Sequence, residues 1–426
     1  MKKRLWVKIV AWSVLTFLFA VLVYHFAEKL GSEKHGNYAL RRVAKKLHIS
    51  LQPVSLTDSE RAKAKATAAS WKRKFLIEFP ALNITEHPVP YEENGFRMLY
   101  DLGNSGLPIS EEFAKILGDL SDCDLEVAKR CLAAHSEVVE KVQYIGNLQT
   151  RSSSGMPEGY VGFISARAVK QCAEIGFLKA RLAVVAGDEE EALRCFSVSI
   201  NIADHFQKVE VPSLIGATVC ILIDLSGQNV VCKSLLPALG KSANLTRWKA
   251  LLWRRDYSTT EFARFLRGEW QIGADFMGFP LLAQMEKQGE IPDAEAVLRL
   301  HSSWTNDVIT KLPSLGLADF DTAFPPPGTT SKLSEEGRSI LQDLSIGLDS
   351  WRKGYARSAV VNAQGRAAMD LLILEKSGVK IVADDVGRIT RDPVSGKPFV
   401  FDPIKRELTA PSSSASMDVL PLSLPW

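Results

Sequence analysis

Ile9 to Phe26 (IVAWSVLTFLFAVLVYHF) runs without a formal charge, and no other stretch limits so strongly what the chain can become. At about 1.5 Å per residue a helix over 9–26 spans roughly 27 Å, close to the thickness of a bilayer's hydrocarbon core. Trp6 and Tyr24 stand near its two ends, where amphipathic rings favour the interface. Two other readings compete with a membrane span: a buried core helix and a cleaved signal peptide. Signal peptidase needs small residues flanking its site, and Leu18 before Ala20 and His25 before Ala27 are both large. The run is therefore expected to be an uncleaved transmembrane helix in contact with the lipid bilayer. Lys2, Lys3, Arg4 and Lys8 precede it, whereas Lys29 and Lys34 beyond it alternate with Glu28 and Glu33. That asymmetry predicts a single-pass protein with residues 1–8 cytoplasmic and the body outside the cytoplasm. Arg41, Arg42, Lys45 and Lys46 lie further on and oppose this orientation.

The other long apolar stretch, from Val211 to Val231, is interrupted by Pro212, Asp224, Gln228 and Asn229, so it reads as a buried helix. The remainder has ordinary globular composition, with 46% hydrophobic and 24% charged residues. Lys and Arg total 52 against 49 Asp and Glu, so the net charge is only +3 and no nucleic-acid partner is expected.

After a basic stalk over 27–56, Thr57-Asp58-Ser59-Glu60 has the pattern of a capping box and opens a Lys/Ala-rich helix ending near Phe79. Residues 91–102 have a mixed pattern that suits a short strand. Ser110 caps the next helix. A single helix is then expected over 124–148, with His135 on its buried stripe. Residues 150–158 read as a loop. Helices follow on either side of Ala186-Gly187-Asp188, over 212–227, 245–272 and 292–311, and over 336–376 beyond a Pro-rich loop at 318–335. Val379–Val382 and Phe399–Phe401 are β-prone, separated by the turn-rich Asp392–Pro398. The whole divides into 1–8, 9–26, 27–56, a helical domain over 57–317, the loop 318–335, a C-terminal helix with a short β region over 336–402, and a disordered tail over 403–426. The expected fold is mainly α, with an N-terminal transmembrane helix, an irregular helical domain and a small β appendix near the C-terminus.

Local signatures of chemistry are sparse. None of the seven histidines lies within five residues of another, which removes HExxH and its relatives, and no CxxC occurs among the six cysteines. Gly240-Lys241-Ser242 matches the end of a P-loop, but Leu235 stands where its first glycine is needed. The cysteines fit apolar helix faces, and nothing in their spacing selects a disulfide pair. No catalytic, cofactor-binding or metal-ligating residue is assigned, and no cofactor is expected.

One segment carries more information. Ala180, the Gly187-Asp188 turn, Ala192 and Phe196 follow the pattern of a tetratricopeptide hairpin, with small residues for close helix contact and Phe196 to fill the gap. No second copy follows at that period, so a helix pair rather than an array is expected, bent back at Gly187 with Asp188 capping the second helix. Arg167 and Glu269 interrupt apolar helix faces; the favoured reading is that each reaches solvent, and the alternative is that they pair across the interface between the 161–185 and 245–272 helices.

The larger context resembles uncharacterised single-pass, membrane-anchored helical proteins of planctomycete and verrucomicrobial genomes. The residues carrying the resemblance are Leu107–Ser110, Arg167, Ala186–Leu193, Val211-Pro212-Ser213-Leu214-Ile215, Phe265-Leu266-Arg267-Gly268-Glu269 and Asp392–Phe399. The resemblance implies a bacterial periplasmic body and no particular activity. Two readings of function follow: a helical body that binds a protein partner or scaffolds a complex, or a membrane-tethered envelope hydrolase with a carboxylate-based site.

Overall fold

Short polar side chains open the helices where the apolar periodicity begins. The computed structural model describes residues 58–424 apart from 121, 157–164, 256, 290, 321–332, 383–385, 387–388 and 412–418. The apolar run 9–26, the stalk 27–56 and most of the Pro-rich loop therefore lie outside the described residues. The described chain is mainly α-helical, with a small three-stranded antiparallel sheet near the C-terminus.

Helix α1 (Asp58–Glu78) buries Ala64, Ala68, Trp71 and Phe75, one stripe at three-to-four spacing. Residues 91–102, expected to hold a strand, belong instead largely to helix α2 (Gly95–Ser105). Asn94 Oδ1 accepts the Arg97 N–H at 3.2 Å as its cap, and Phe96, Leu99 and Tyr100 have the spacing of a buried helical face. Helix α3 (Glu111–Gly118) starts at Ser110, whose Oγ accepts the Phe113 N–H at 3.2 Å.

The single helix expected over 124–148 is two, α4 (Leu125–Ala134) and α5 (Ser136–Asn147). His135 makes the break. Its Nδ1 donates to the Cys131 carbonyl at 2.8 Å, its Nε2 accepts the Ser110 N–H at 3.1 Å, and its ring lies 5.0 Å from that of Phe113. These bonds tie His135 to the start of α3, and its backbone leaves the helical region (φ −118°, ψ 32°).

Helices α6 (Ala166–Val185) and α7 (Glu189–Gln207) form the expected hairpin at the centre of the larger core. Gly187 is left-handed (φ 80°). Its N–H donates to the Val184 carbonyl and the Asp188 N–H to the Ala183 carbonyl, each at 2.9 Å, the Schellman pairing. Asp188 Oδ1 then accepts the Glu191 N–H at 2.9 Å and caps α7. Ala180, Ala192 and Phe196 are fully buried, and the pair also approaches closely at Gly176, where a Cβ would collide with Ser199 Oγ and the Cys195 carbonyl.

Helix α8 (Leu214–Val230) packs across this pair and continues through a π turn at Val231–Leu235. Leu214–Ser242 is the one stretch among the described residues long and apolar enough to cross a membrane, and 56% of its apolar window is buried inside the protein. The expected helix over 245–272 is likewise two, α9 (Leu245–Leu252) and α10 (Thr259–Ile272). Ser258 Oγ accepts the Glu261 N–H and opens α10, so the described residues between Leu252 and Thr259 are not helical. A π turn (Gly273–Met277), α11 (Gly278–Lys287), α12 (Ala294–Lys311) and the long α13 (Glu335–Lys376) follow.

Apolar side chains gather into two large clusters. One surrounds α6 and α7; the other joins α1 to α10, α11 and α12. Helix α13 contributes to both, with Tyr355, Ala356 and Ala359 in the second and Val360, Ala367 and Leu371 in the first.

The tail after 402 corrects the sequence reading. Strands β1 (Val400–Asp402), β2 (Glu407–Thr409) and β3 (Leu422–Ser423) pair antiparallel in that order, with Val400 opposite Thr409 and Glu407 opposite Ser423. Gln364 on α13 donates to the Leu408 and Leu420 carbonyls at 2.7 and 3.1 Å, and Leu408 and Leu424 are buried in the first cluster. A Ser/Pro-rich composition does not show such anchoring, because it depends on an acceptor row meeting one buried amide. Val379–Val382, expected to be β-prone, forms no strand.

Candidate functional site

Two polar constellations stand out from the apolar body. The first is internal. Between α9 and α10, Arg255 turns into the interior, where its side chain is 2% exposed. Its Nε donates to Asp204 Oδ1 of α7 at 3.0 Å, its Nη1 to Asp224 Oδ1 of α8, and its Nη2 to the Ile200 carbonyl. The Tyr257 hydroxyl donates to Asp224 Oδ2 at 2.7 Å. Arg254 and Lys208 reach Asp204 Oδ2 at 2.6 and 2.7 Å. Burial pushes the Asp204 carboxyl up, but Arg255, Arg254 and Lys208 outweigh it and hold the group below its ordinary value. Burial also raises Tyr257 and pushes the Cys220 thiol up to about 12. Beside the cluster is a cavity of about 10 Å³, the size of one water molecule. Every charge in the cluster has a partner of opposite sign, so it locks α7 and α8 to the stretch between α9 and α10 and has no room for a substrate.

The second constellation is open. Its near wall is the loop over 153–156 together with Glu86; its far wall is Val211, Gln271, Ile272 and Asp275. The cleft holds about 160 Å³, below the roughly 300–1,000 Å³ of small-molecule pockets. Its near wall is held in place by several bonds. Buried Asn94 accepts the Ser152 N–H at 3.0 Å and donates to the Ser152 carbonyl at 2.9 Å. Glu210 accepts the N–H groups of Ser153 and His87 at 3.1 and 3.4 Å. The far wall is set by a close approach: at Gly268 of α10 a Cβ would run into the Pro212 backbone. One residue on, Glu269 Oε2 accepts the Leu214 N–H at 3.0 Å and so serves the start of α8. The segments 211–215 and 265–269, singled out in the sequence, thus meet beside the cleft.

Asp275 lies in the π turn after α10, a distortion that often accompanies functional sites. It accepts from Lys72 of α1 at 2.6 Å and, more weakly, from Gln271 Nε2 at 3.4 Å. Gln271 is buried, and its Oε1 has no hydrogen-bond donor. Glu86 has no hydrogen-bond or ion-pair partner among the described residues. Two acidic side chains, Glu86 and Asp275, therefore line the opening, while the Gln271 Oε1 is closed off from solvent inside the wall.

Of the residues marked in the sequence, Gly187 and Asp188 form the hairpin turn, far in role from either constellation. The structure does not join Arg167 to Glu269. Arg167 is exposed near the start of α6, on the side of Glu174, while Glu269 turns to the α8 backbone. Burial raises the carboxyls of both Glu174 and Glu269; Lys170 pairs with the first, and neither lines the cleft. The rule that a charge on an apolar face needs a partner was sound, but it applied to Asp204 and Asp224. Asp224, set inside the most apolar helix, was the available signal. Gln271 and Asp275 gave none, because an ordinary polar residue near a helix end carries no mark of lacking a partner.

All six cysteines are free thiols, and among the described residues no group of three or more His, Cys, Asp or Glu could hold a metal ion. No protein-family model matches the chain, and no curated protein or solved structure matches it either.

Proposed function

We propose that this chain is a single-pass envelope protein whose helical body binds a protein partner or scaffolds a complex. In this reading residues 9–26 cross the bilayer, 1–8 stay in the cytoplasm and the body is periplasmic, as in the membrane-anchored helical proteins it resembles. The α6–α7 pair is a tetratricopeptide-like hairpin that serves as the centre of the body rather than one unit of an array.

One observation carries the interaction reading. The buried charges are consumed in internal pairing, while the open cleft is lined by the Glu86 and Asp275 carboxylates beside a wall held by hydrogen bonds. The hydrolase reading needs a carboxylic acid with a raised pKa facing substrate. The carboxyls that burial raises, Glu174 and Glu269, are engaged elsewhere.

Two measurements test the proposal. Alkaline phosphatase and a cytoplasm-dependent fluorescent protein, each fused after Trp426, report the side on which the body lies; phosphatase activity without fluorescence is expected, and the converse reverses the orientation. Photo-crosslinking from Ser154, at the rim of the cleft, in intact cells should give a discrete crosslinked species that disappears in Glu86→Lys. Degradation of an envelope polymer by the purified chain, abolished in Asp275→Asn, would instead establish the hydrolase reading.

A further inference from the structure

We propose that α1 is a strap in two parts: its second half clamps the helical body, while its first half, 58–70, opens on its own and serves as an extensible link between body and bilayer. The independent opening rests on α1 itself; that the link leads to a bilayer rests on the membrane reading above.

The two halves differ in what they bury. Among the described side chains from Ser59 to Ser70, the buried ones are Ala64 and Ala68, each a single methyl group. From Trp71 onward the same stripe carries Trp71, Phe75 and Phe79, each a whole ring system, and Leu82 continues it beyond the helix end. Phe75 meets Phe279 of α11 edge to face, with ring centres 5.7 Å apart. Hydrophobic stabilisation scales with the apolar area withdrawn from water, so the clamp lies almost wholly in the second half. Ion pairs to other elements reinforce that half. Lys72 reaches Asp275 at 2.6 Å, Lys74 pairs with Glu295, and Glu78 accepts from Arg299 at 2.6 Å. Asp275 is in the π turn before α11, and Glu295 and Arg299 are on α12, so the second half is held by several elements at once.

The first half owes its helix to local preference. Lys63-Ala64-Lys65-Ala66 are strong helix formers, but a helix of under about 15 residues is marginal in water unless packing supports it. Two methyl groups supply little of that support. Opening of 58–70 therefore leaves both apolar clusters standing, and it takes far less free energy than unfolding the body. As a helix these residues span about 20 Å; extended, they reach about 40 Å. A tethered interaction body thereby meets partners at different heights above the bilayer without releasing Trp71, Phe75 or the three ion pairs.

The test uses the full chain in detergent micelles. Hydrogen exchange should be at least about 100-fold faster at amides 64–70 than at 74–79. Within α1, trypsin should cut the native protein after Lys63 and Lys65 and spare Lys72, Arg73 and Lys74. Ala66→Pro, which breaks the helix in the first half, should lower the melting temperature by no more than about 2 °C, and Arg73→Pro by several times as much. Equal protection of 64–70 and 74–79, or equal losses in the two proline variants, would overturn the independent opening. In lipid vesicles the chain should sediment with the lipid. A chain left in the supernatant would overturn its role as a link to the bilayer, while the opening is judged by exchange and the proline pair alone.

Discussion

His205 shows how one buried side chain sets the response of the whole fold to acid. Its ring is fully buried against Gly95, and its Nε2 donates to the Ile145 carbonyl at 2.9 Å. Its Nδ1 has no partner. Burial pushes the pKa down from 6.5 to about 4, so the folded protein keeps the ring neutral where the unfolded chain already binds a proton. Between those two values the unfolded state binds more protons, and stability must rise with pH. Read downward, stability is intact above about pH 6.5 and declines toward pH 4 by about 3 kcal/mol from this residue. Urea denaturation of the full chain in micelles at several pH values should show that slope. His205→Gln, which keeps a donor for Ile145, should flatten it by about half or more, because His301, also pushed down to about 4 by burial, retains its own share. Equal slopes in the two proteins would show that the ring is not held neutral.

Two glycines of the α6–α7 hairpin do different work. At Gly187 an added Cβ meets nothing within 4 Å, so the requirement there is the positive φ alone. Gly187→Val should lower stability by roughly 1 kcal/mol or more, and Gly187→Asn by clearly less, since Asn tolerates the left-handed region. Gly176 has an ordinary helical backbone, but its Cβ would strike Ser199 and the Cys195 carbonyl, so α6 and α7 would have to part. Gly176→Ala should cost about 1–3 kcal/mol despite its better helix propensity. Thermal melts decide both. A stabilised Gly176→Ala protein would mean that the helices yield freely, against the tight packing of Phe177 on Phe196, whose ring centres lie 4.7 Å apart.

Across the molecule, Arg255 connects parts that no single helix joins. It reaches α7 and α8, while α13 holds the same stretch through Arg366, whose Nη2 donates to the Trp253 and Arg255 carbonyls at 2.5 and 2.6 Å. Helices α8 and α13 both contribute to the two apolar clusters, so loosening this junction is felt on both sides. Arg255→Met leaves the buried Asp224 carboxylate without its cation and should destabilise the fold by about 3–5 kcal/mol. Combining it with Asp224→Leu and Tyr257→Phe removes the stranded charge and its donor together, while Asp204 keeps Arg254 and Lys208. The triple variant should therefore be more stable than Arg255→Met alone. Additive losses, measured by chemical denaturation, would show that the pairing itself and not the stranded charge dominates.

The mainly helical composition and the hairpin turn at Gly187-Asp188 were readable from the chain, because caps, left-handed glycines and three-to-four apolar spacing act over a few residues. The buried nature of 214–230 was readable too, from the Asp224, Gln228 and Asn229 that interrupt it. Contacts distant in sequence were not. His135 and Ser258 each divide a helix that periodicity drew as continuous, the first because Ser110 binds its ring from 25 residues away. The tail strands depend on Gln364, which lies 44 residues before Leu408. Arg167 reaches solvent, as the favoured reading of the sequence has it, but Glu269 does not; which group meets which is set by how the helices cross, and that crossing turned Glu269 to the Leu214 N–H and gave the interior to Asp204, Asp224 and Arg255. The cleft has the same origin: Glu86, Gln271 and Asp275 come together only once Gly268 has let Pro212 against α10, and one local window of sequence cannot contain both sides of that contact.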